Sequence, residues 1–145
     1  MFGNSTTQAT HATLSPKAYN AWRLLKYTYG IVPIAAGLDK YFNILTNWSL
    51  YINPALPKLV SLEPTQFMYI VGAIEIAAGI LVLSNYTKFG AYLVSFWLLF
   101  IAANLVSTGL FYDVAVRDTV MAIGALALAI LSSDMPCTDK ACGYN

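Results

Sequence analysis

With 145 residues, the chain is expected to form one compact domain without a separate soluble catalytic unit. Hydrophobic residues make up 58% of it and charged residues only 10%, whereas about 25% of a soluble domain is charged. The mean hydropathy of +0.60 agrees, so the composition indicates an integral membrane protein. The formal net charge of +1 supplies no basic patch, and a nucleic-acid partner is therefore not expected.

Polar and apolar stretches divide the chain into a tail, four candidate spans and a second tail. Residues 1–18 are rich in Ser and Thr and lack the apolar stretch of a cleavable signal peptide, so we predict a polar tail. Residues 19–133 hold four apolar segments, and the first three approach the ~20 residues that a helix needs to span a bilayer. The fourth reaches that length only if it begins before Thr119. The predicted spans are about 22–42, 66–83, 89–112 and 115–132, and residues 134–145 form the second tail.

These segments are predicted to be helices rather than strands. A membrane barrel requires alternating apolar and polar residues, and the runs 76–83 and 122–131 do not alternate. Pro33 is expected to kink the first helix. Small residues in the segments suit close packing of membrane helices: Gly72, Gly79, Gly90, Gly109 and Gly124. The sequence thus predicts an all-α, integral membrane four-helix bundle with up-down topology.

Lysine and arginine in the flanks predict the orientation of such a bundle. If both termini lie on one side, that side carries five basic residues and the other side three: Lys17, Arg23, Lys26, Lys88 and Lys140 against Lys40, Lys58 and Arg117. Because basic flanks favour the cytoplasm, both termini are predicted to be cytoplasmic.

Ionisable residues in or against the apolar segments form the candidate site. Charges in hydrocarbon are costly, so they indicate a binding or assembly site. In an up-down bundle the end of the first segment, the start of the second, the end of the third and the start of the fourth share one membrane face. At ~1.5 Å per residue, Glu75 and Asn104 would lie about 12–14 Å below that face. These two are therefore expected to share a polar pocket. The charged residues are Asp39, Lys40, Glu75, Asp113, Arg117 and Asp118.

That cluster holds four carboxyl groups and two basic groups, which leaves it short of positive charge. Either one carboxyl is protonated, with Glu75 as the deepest candidate, or a partner neutralises the excess. In a purely structural interpretation the interfacial residues extend to lipid headgroups, and Arg117 pairs with Asp113 four residues earlier. The connection at about 43–65 is long enough to be functional, although Trp48 and Tyr51 individually suit the headgroup region.

Histidine and cysteine usage limits the cofactors. His11 is the only histidine and lies in the first tail, which excludes a buried bis-histidine haem and an imidazole copper site. Cys137 and Cys142 form a C-x4-C pattern in the second tail, as a disulfide or half of a shared metal site. Two cysteines make no complete zinc site, and a cytoplasmic tail favours free thiols. No metal and no covalently bound cofactor are therefore predicted.

Three short motifs follow one another along the chain: Gly37-Leu38-Asp39-Lys40-Tyr41-Phe42-Asn43 with Leu45 and Trp48, Gly72 to Leu81, and Asn104-Leu105 with the Asp113–Asp118 turn. In this order and spacing they resemble the DoxX-like family of small four-helix membrane proteins. The resemblance covers about residues 22–132. It implies a four-helix bundle in a prokaryotic inner membrane, associated with respiratory or redox systems. The members of that family include a subunit of a thiosulfate:quinone oxidoreductase, and relatives elsewhere look like assembly factors or cargo receptors.

The first functional hypothesis is an accessory subunit of a larger membrane complex, respiratory, redox-linked or other. In that case the surplus charge pairs with other membrane subunits or a second copy, while apolar faces contact the bilayer and neighbouring helices. The candidate pocket or interface residues are Asp39, Lys40, Asn43, Trp48, Glu75, Asn104, Asp113, Arg117 and Asp118.

The alternative hypothesis is a quinone-binding component of an oxidoreductase of the thiosulfate:quinone type. Glu75 and Asn104 would bind the polar head of the quinone, Glu75 would exchange a proton as the best catalytic candidate, and Trp97 and Phe100 would line an apolar wall. The chain has no recognisable electron carrier, so it is not expected to be catalytic alone. A transporter is less favoured because no inverted repeat stands out.

Overall fold

A computed structural model describes residues 15–133, and this part of the chain is helical with no strand. Its elements are helix α1 (Pro16–Phe42), a 3-10 turn (Trp48–Tyr51), and helices α2 (Ala55–Leu59), α3 (Pro64–Leu83), α4 (Thr87–Ser107) and α5 (Tyr112–Ser133). The all-α prediction is confirmed for these residues. Most of the predicted first tail and the whole second tail, with His11, Cys137 and Cys142, lie outside the described residues.

Within residues 15–133, three helices are long and apolar enough to cross a membrane, namely α3, α4 and α5. Helix α1 is the longest, at 27 residues, but it is more polar and carries charged residues towards both of its ends. The membrane character predicted from composition is therefore supported by three of the four predicted spans. The remaining span is a long helix whose apolar part is its middle.

Local signals explain where α1 begins and ends. Pro16 occupies the first turn, where its missing N–H costs nothing, and the Ser15 hydroxyl accepts a hydrogen bond from the backbone N–H of Ala18 at 3.3 Å. Helix α1 continues through Pro33 and ends at Phe42, and the following residue, Asn43, adopts a left-handed conformation with φ of 50°. The helix therefore begins inside the predicted tail, six residues before Trp22.

The end of the third predicted span is wrong by five residues, because α4 ends at Ser107 rather than near Tyr112. The chain turns through Gly109 and Phe111, whose φ angles are 71° and 59°. Leu110 and Phe111 are apolar, so hydrophobicity alone did not mark this turn. Helix α5 begins at Tyr112, three residues before the predicted start of the fourth span at about residue 115.

The four long helices pack most extensively as two pairs, α1 with α3 and α4 with α5. In the first pair, Gly37 contacts Gly72 and Gly30 contacts Gly79; we call these four residues the glycine interface. A Cβ on Gly37 would lie 2.6 Å from the Gly72 carbonyl oxygen, so this close approach requires glycine. The second pair is packed with buried alanines, among them Ala91, Ala102, Ala115, Ala122, Ala125 and Ala129.

Two aromatic side chains of α1 connect the pairs. The Trp22 indole nitrogen donates a hydrogen bond to the Ser132 hydroxyl at 2.8 Å, and the Tyr29 hydroxyl donates to the Met121 carbonyl oxygen at 2.7 Å. Both rings belong to the buried core with Val82. The pairs are thus held together along the first half of α1, and from Thr28 and Tyr29 towards its other end they enclose a cavity.

Candidate ligand-binding site

A buried ion pair joins α1 to α3. The Lys40 ammonium donates a hydrogen bond to Glu75 Oε2 at 2.6 Å, and the two side chains are only 5% and 9% exposed. Lys40 Nζ also lies 4.0 Å from the centre of the Trp48 ring, a distance at which a cation is attracted to an aromatic face. Glu75 therefore has its counter-charge within the chain, on the neighbouring helix.

Asp39 forms hydrogen bonds with the connection that follows α1 rather than with another long helix. Its Oδ1 accepts hydrogen bonds from the backbone N–H groups of Ile44 and Leu45 at 3.0 and 3.1 Å, and its Oδ2 accepts from the Trp48 indole N–H at 2.6 Å. Three neutral N–H groups thus satisfy the Asp39 carboxylate, which therefore does not require a basic partner from another chain. Asn43 has a similar local role, since its side-chain oxygen accepts from the backbone N–H of Trp48 at 3.4 Å.

The second ion pair differs from the predicted one. Arg117 Nε donates to Asp118 Oδ1 at 3.3 Å, so the pairing of Arg117 with Asp113 is wrong. Asp118 is buried whereas the Arg117 side chain is 63% exposed, and Asp113 is exposed in the first turn of α5. Adjacent residues pair here because the buried face of α5 includes Asp118, while Asp113 lies off that face.

A cavity of about 620 Å³ lies between the helix pairs and is lined by residues of all four long helices. Its charged groups are Lys40, Glu75, Arg117 and Asp118, two of each sign. We call the part around these four residues the charged end. The rest of the wall is mostly apolar, with Val71, Val94, Leu98, Phe100, Ile101 and Met121 among its residues. An apolar cavity of this size with a few convergent polar groups is typical of a small-molecule site.

The connection between α1 and α3 contributes to the cavity wall through Trp48, Tyr51 and Ile52. Tyr51 also packs against Phe111, with ring centres 4.4 Å apart, which fixes the connection to the turn before α5. The prediction that this connection has a role beyond linking two helices fits its position. Trp48, which individually suited the headgroup region, instead contacts both Asp39 and Lys40.

Asn104 lines the cavity together with Glu75, as expected, but its amide group already has partners. Its Nδ2 donates to the Tyr51 carbonyl oxygen at 2.9 Å, and its Oδ1 accepts from the backbone N–H of Asn53 at 3.1 Å. The side chain therefore fastens the connection to α4. Binding of a ligand head by Asn104 would require these bonds to break.

Trp97 supplies a polar group that the sequence did not single out. Its indole nitrogen is buried and has no hydrogen-bond partner among the described residues. It lies beside the Glu75 carboxyl without the geometry of a hydrogen bond, and its side chain lines the cavity. Trp97 was predicted only as apolar wall. No pattern in the sequence indicates which tryptophan N–H lacks a partner, because that depends on the surrounding helices.

Metal chemistry has no support in the described part of the chain, where no group of three or more His, Cys, Asp and Glu side chains could hold an ion. The charged end offers two ion pairs and an indole N–H, which can bind and orient a polar group and exchange a proton. Comparisons of the chain with protein-family models, with curated proteins and with solved structures found no match in any of the three. The DoxX-like resemblance stays a prediction from the motifs.

Proposed function

We propose that this chain is a small membrane protein that binds an amphipathic molecule, with a quinone as the leading example, in the cavity between its helix pairs. The observation that supports this most is the cavity itself, about 620 Å³ with a mostly apolar wall and a charged end. Its size lies within the ~300–1,000 Å³ range of small-molecule sites. Such a cavity suits a molecule with a polar head and an apolar tail.

We further propose that the four long helices form an up-down bundle across the membrane. Gly37 contacts Gly72 and Gly30 contacts Gly79, and this reversed order along the two helices fits neighbours that run in opposite directions. The connections of α3 to α4 and of α4 to α5 are short, which favours antiparallel neighbours. A prokaryotic inner membrane with both termini in the cytoplasm completes the proposal, on the strength of the resemblance and the basic flanks.

In a redox setting the chain would act with a partner. No residue pattern for an electron carrier occurs in the sequence, so electrons would have to come from another subunit that reaches the bound molecule. Glu75 is the group best placed to take up or release a proton, because it lies in the cavity beside Lys40 and Trp97. The contribution of this chain is then to bind and orient the molecule and to handle its proton.

A purely accessory role is the second candidate, and the structure weakens its main argument. It rested on carboxylates that needed counter-charges from other chains. Glu75 and Asp118 have basic partners within the chain, and Asp39 has three N–H donors. The exposed apolar faces of the helices fit lipid as well as they fit other subunits. Membership of a complex is compatible with ligand binding, so the test must separate a bound molecule from a bound chain.

Two neighbouring alanines of α1 provide that test. Ala36 lines the cavity, whereas Ala35 is exposed and does not. The protein and its variants Ala36→Phe and Ala35→Phe would be purified from their own membranes into native nanodiscs, followed by mass spectrometry of copurifying chains and lipophilic molecules. We expect an amphipathic molecule with the wild type and with Ala35→Phe, and its loss with Ala36→Phe. Stoichiometric partner chains in all three samples without such a molecule would favour the accessory role instead.

A further inference from the structure

We infer that the molecule bound in the cavity is a neutral amphiphile whose head carries a hydrogen-bond-acceptor oxygen, and that the indole N–H of Trp97 binds this oxygen. The inference rests on the proposed function, because it names the chemical class of the ligand of the same cavity. Two independent observations carry it. One is the balance of charge in the cavity, and the other is the hydrogen-bonding state of Trp97.

The balance of charge argues for a neutral head. Lys40 pairs with Glu75 and Arg117 with Asp118, and no other charged residue within residues 15–133 lines the cavity. An anionic head would add a third negative charge beside two carboxylates, and a cationic head a third positive charge beside two basic groups. In a low-dielectric interior such an unpaired charge is costly. A neutral head leaves both ion pairs intact.

The state of Trp97 argues for an acceptor. Buried polar groups nearly always have a hydrogen-bond partner, and an exception requires an explanation. An indole nitrogen can only donate, so the group that completes Trp97 must accept. The Glu75 carboxyl is the nearest acceptor, but it does not have hydrogen-bond geometry to the indole, and its Oε2 accepts from Lys40. Asn104, elsewhere in the cavity wall, bonds with Tyr51 and Asn53. A carbonyl oxygen on a flat ring would meet the N–H without disturbing these bonds.

Phe100 extends this site. Its ring stacks with that of Trp97, with centres 5.7 Å apart and planes inclined by 27°, and both rings line the cavity. Beside the donor there is consequently an aromatic surface suited to a planar head. An apolar tail would then follow the apolar wall away from the charged end.

The test uses the full chain in nanodiscs and four probes that share a decyl tail: a decyl-substituted 1,4-benzoquinone, decylbenzene, decanoic acid and decylamine. Retention of each probe, relative to empty nanodiscs, is measured by mass spectrometry as an apparent Kd. We expect the quinone to bind about tenfold more tightly than decylbenzene, because a single hydrogen bond is worth roughly that factor. The acid and the amine should bind more weakly than the quinone.

Two tryptophan variants separate the role of the N–H from that of the ring. Trp97→Phe should weaken quinone binding by about tenfold, leave decylbenzene binding unchanged and keep the ligand-free melting temperature. Trp22→Phe is the matched control, since the Trp22 N–H already bonds with Ser132 at 2.8 Å and its side chain does not line the cavity. This control should lower the melting temperature and leave the Kd of the quinone unchanged.

The outcomes distinguish this inference from the proposed function. If no probe binds the wild type above empty nanodiscs, the proposed function fails. If the quinone binds and Trp97→Phe leaves its Kd unchanged, or if decanoic acid binds most tightly, the cavity is a ligand site but the assigned ligand class is overturned. Tight quinone binding that Trp97→Phe weakens, with decylbenzene unaffected, supports both.

Discussion

The glycine interface and the charged end of the cavity share helices α1 and α3. On each helix a glycine and a charged residue lie about one turn apart, and the two regions differ in the size of the side chains that form them. At Gly37 and Gly72 the backbones are in contact, and a Cβ on either would lie 2.6 or 2.7 Å from the carbonyl oxygen of the other. One turn along each helix, Lys40 and Glu75 carry long charged side chains that meet at 2.6 Å. The glycines set a short separation between α1 and α3, and this separation allows Lys40 and Glu75 to pair.

This arrangement makes the two regions dependent on each other. A Cβ on Gly37 would lie 3.2 Å from the Glu75 Cβ, and one on Gly72 would lie 3.3 Å from the Lys40 Cβ. A buried ion pair offsets the desolvation of its charges only when its geometry is good. The close approach at the glycine interface therefore maintains the ion pair, and substitutions in the two regions should not be additive.

The largest effect is expected when the ion pair loses one partner. Lys40→Met leaves Glu75 buried without its counter-charge and should lower the free energy of unfolding by about 3–5 kcal/mol, measured by denaturant unfolding in detergent micelles. Adding Glu75→Gln should restore most of that loss, because no unpaired charge then stays buried. Lys58→Met is the matched control at an exposed lysine and should change little. A loss below about 1 kcal/mol for Lys40→Met would contradict a structural ion pair.

A similar but smaller effect should follow from a side chain in the glycine interface. Gly37→Leu forces a side chain against the backbone of α3, and overpacking of this kind costs about 3 kcal/mol. Ala35→Leu places the same side chain on an exposed position of the same helix and should leave the melting temperature nearly unchanged. In the Lys40→Met background the cost of Gly37→Leu should fall, since the ion pair is already lost. Strict additivity would show that the two regions are independent.

Asp39 and Lys40 are neighbours with different partners, since Asp39 bonds with the connection and Lys40 bonds with α3. A substitution of Asp39 should therefore affect the connection and not the helices. Asp39→Asn should weaken the bonds to Ile44, Leu45 and Trp48 and raise amide hydrogen exchange in residues 44–51 by about tenfold. Exchange in α3 and α4 should stay the same. Asp113→Asn, at an exposed acid in α5, is the control. Equal changes throughout the protein would mean that Asp39 supports the helices rather than the connection.

The smallest effect is expected within the α4–α5 pair. The Ser95 hydroxyl donates to the Ala122 carbonyl oxygen at 2.8 Å, between two helices that are rich in buried alanine. Ser95→Ala removes one neutral hydrogen bond and should lower the free energy of unfolding by about 1 kcal/mol, measured as for Lys40→Met. A cost as large as that of Gly37→Leu would show that the α4–α5 pair depends on the Ser95 hydrogen bond as strongly as the α1–α3 pair depends on the close approach at Gly37.

Much of the helical structure could be predicted because its signals are local. Long apolar segments without alternation indicated helices, and the need for a full span moved the start of the fourth helix before Thr119. The helix boundaries that were predicted wrongly are set by capping and turn residues rather than by hydrophobicity. Pro16 and the Ser15 cap start α1 inside a polar stretch, and Gly109 and Phe111 turn the chain inside an apolar one.

The sequence predicted which residues belong to the site better than it predicted which of them bond with each other. Lys40, Glu75, Arg117 and Asp118 do line one cavity, as expected if the helix ends that carry the other three share a membrane face and Glu75 lies below it. Asp39, Asn43 and Asn104 are bonded mainly to the connection, and Asp113 is exposed. These assignments depend on the direction of each side chain from its helix, and a short motif does not specify that direction.

Segment length and composition are local signals, and they alone indicated that most of residues 15–133 are helical and apolar and that charged residues lie within or beside the apolar segments. Only the packed helices show that Lys40 pairs with Glu75, that Arg117 pairs with Asp118, and that the Trp97 N–H lacks a partner among the described residues. These outcomes depend on the separation and rotation of packed helices. In the α1–α3 pair that separation is set where Gly37 meets Gly72, and the two glycines are far apart in the sequence.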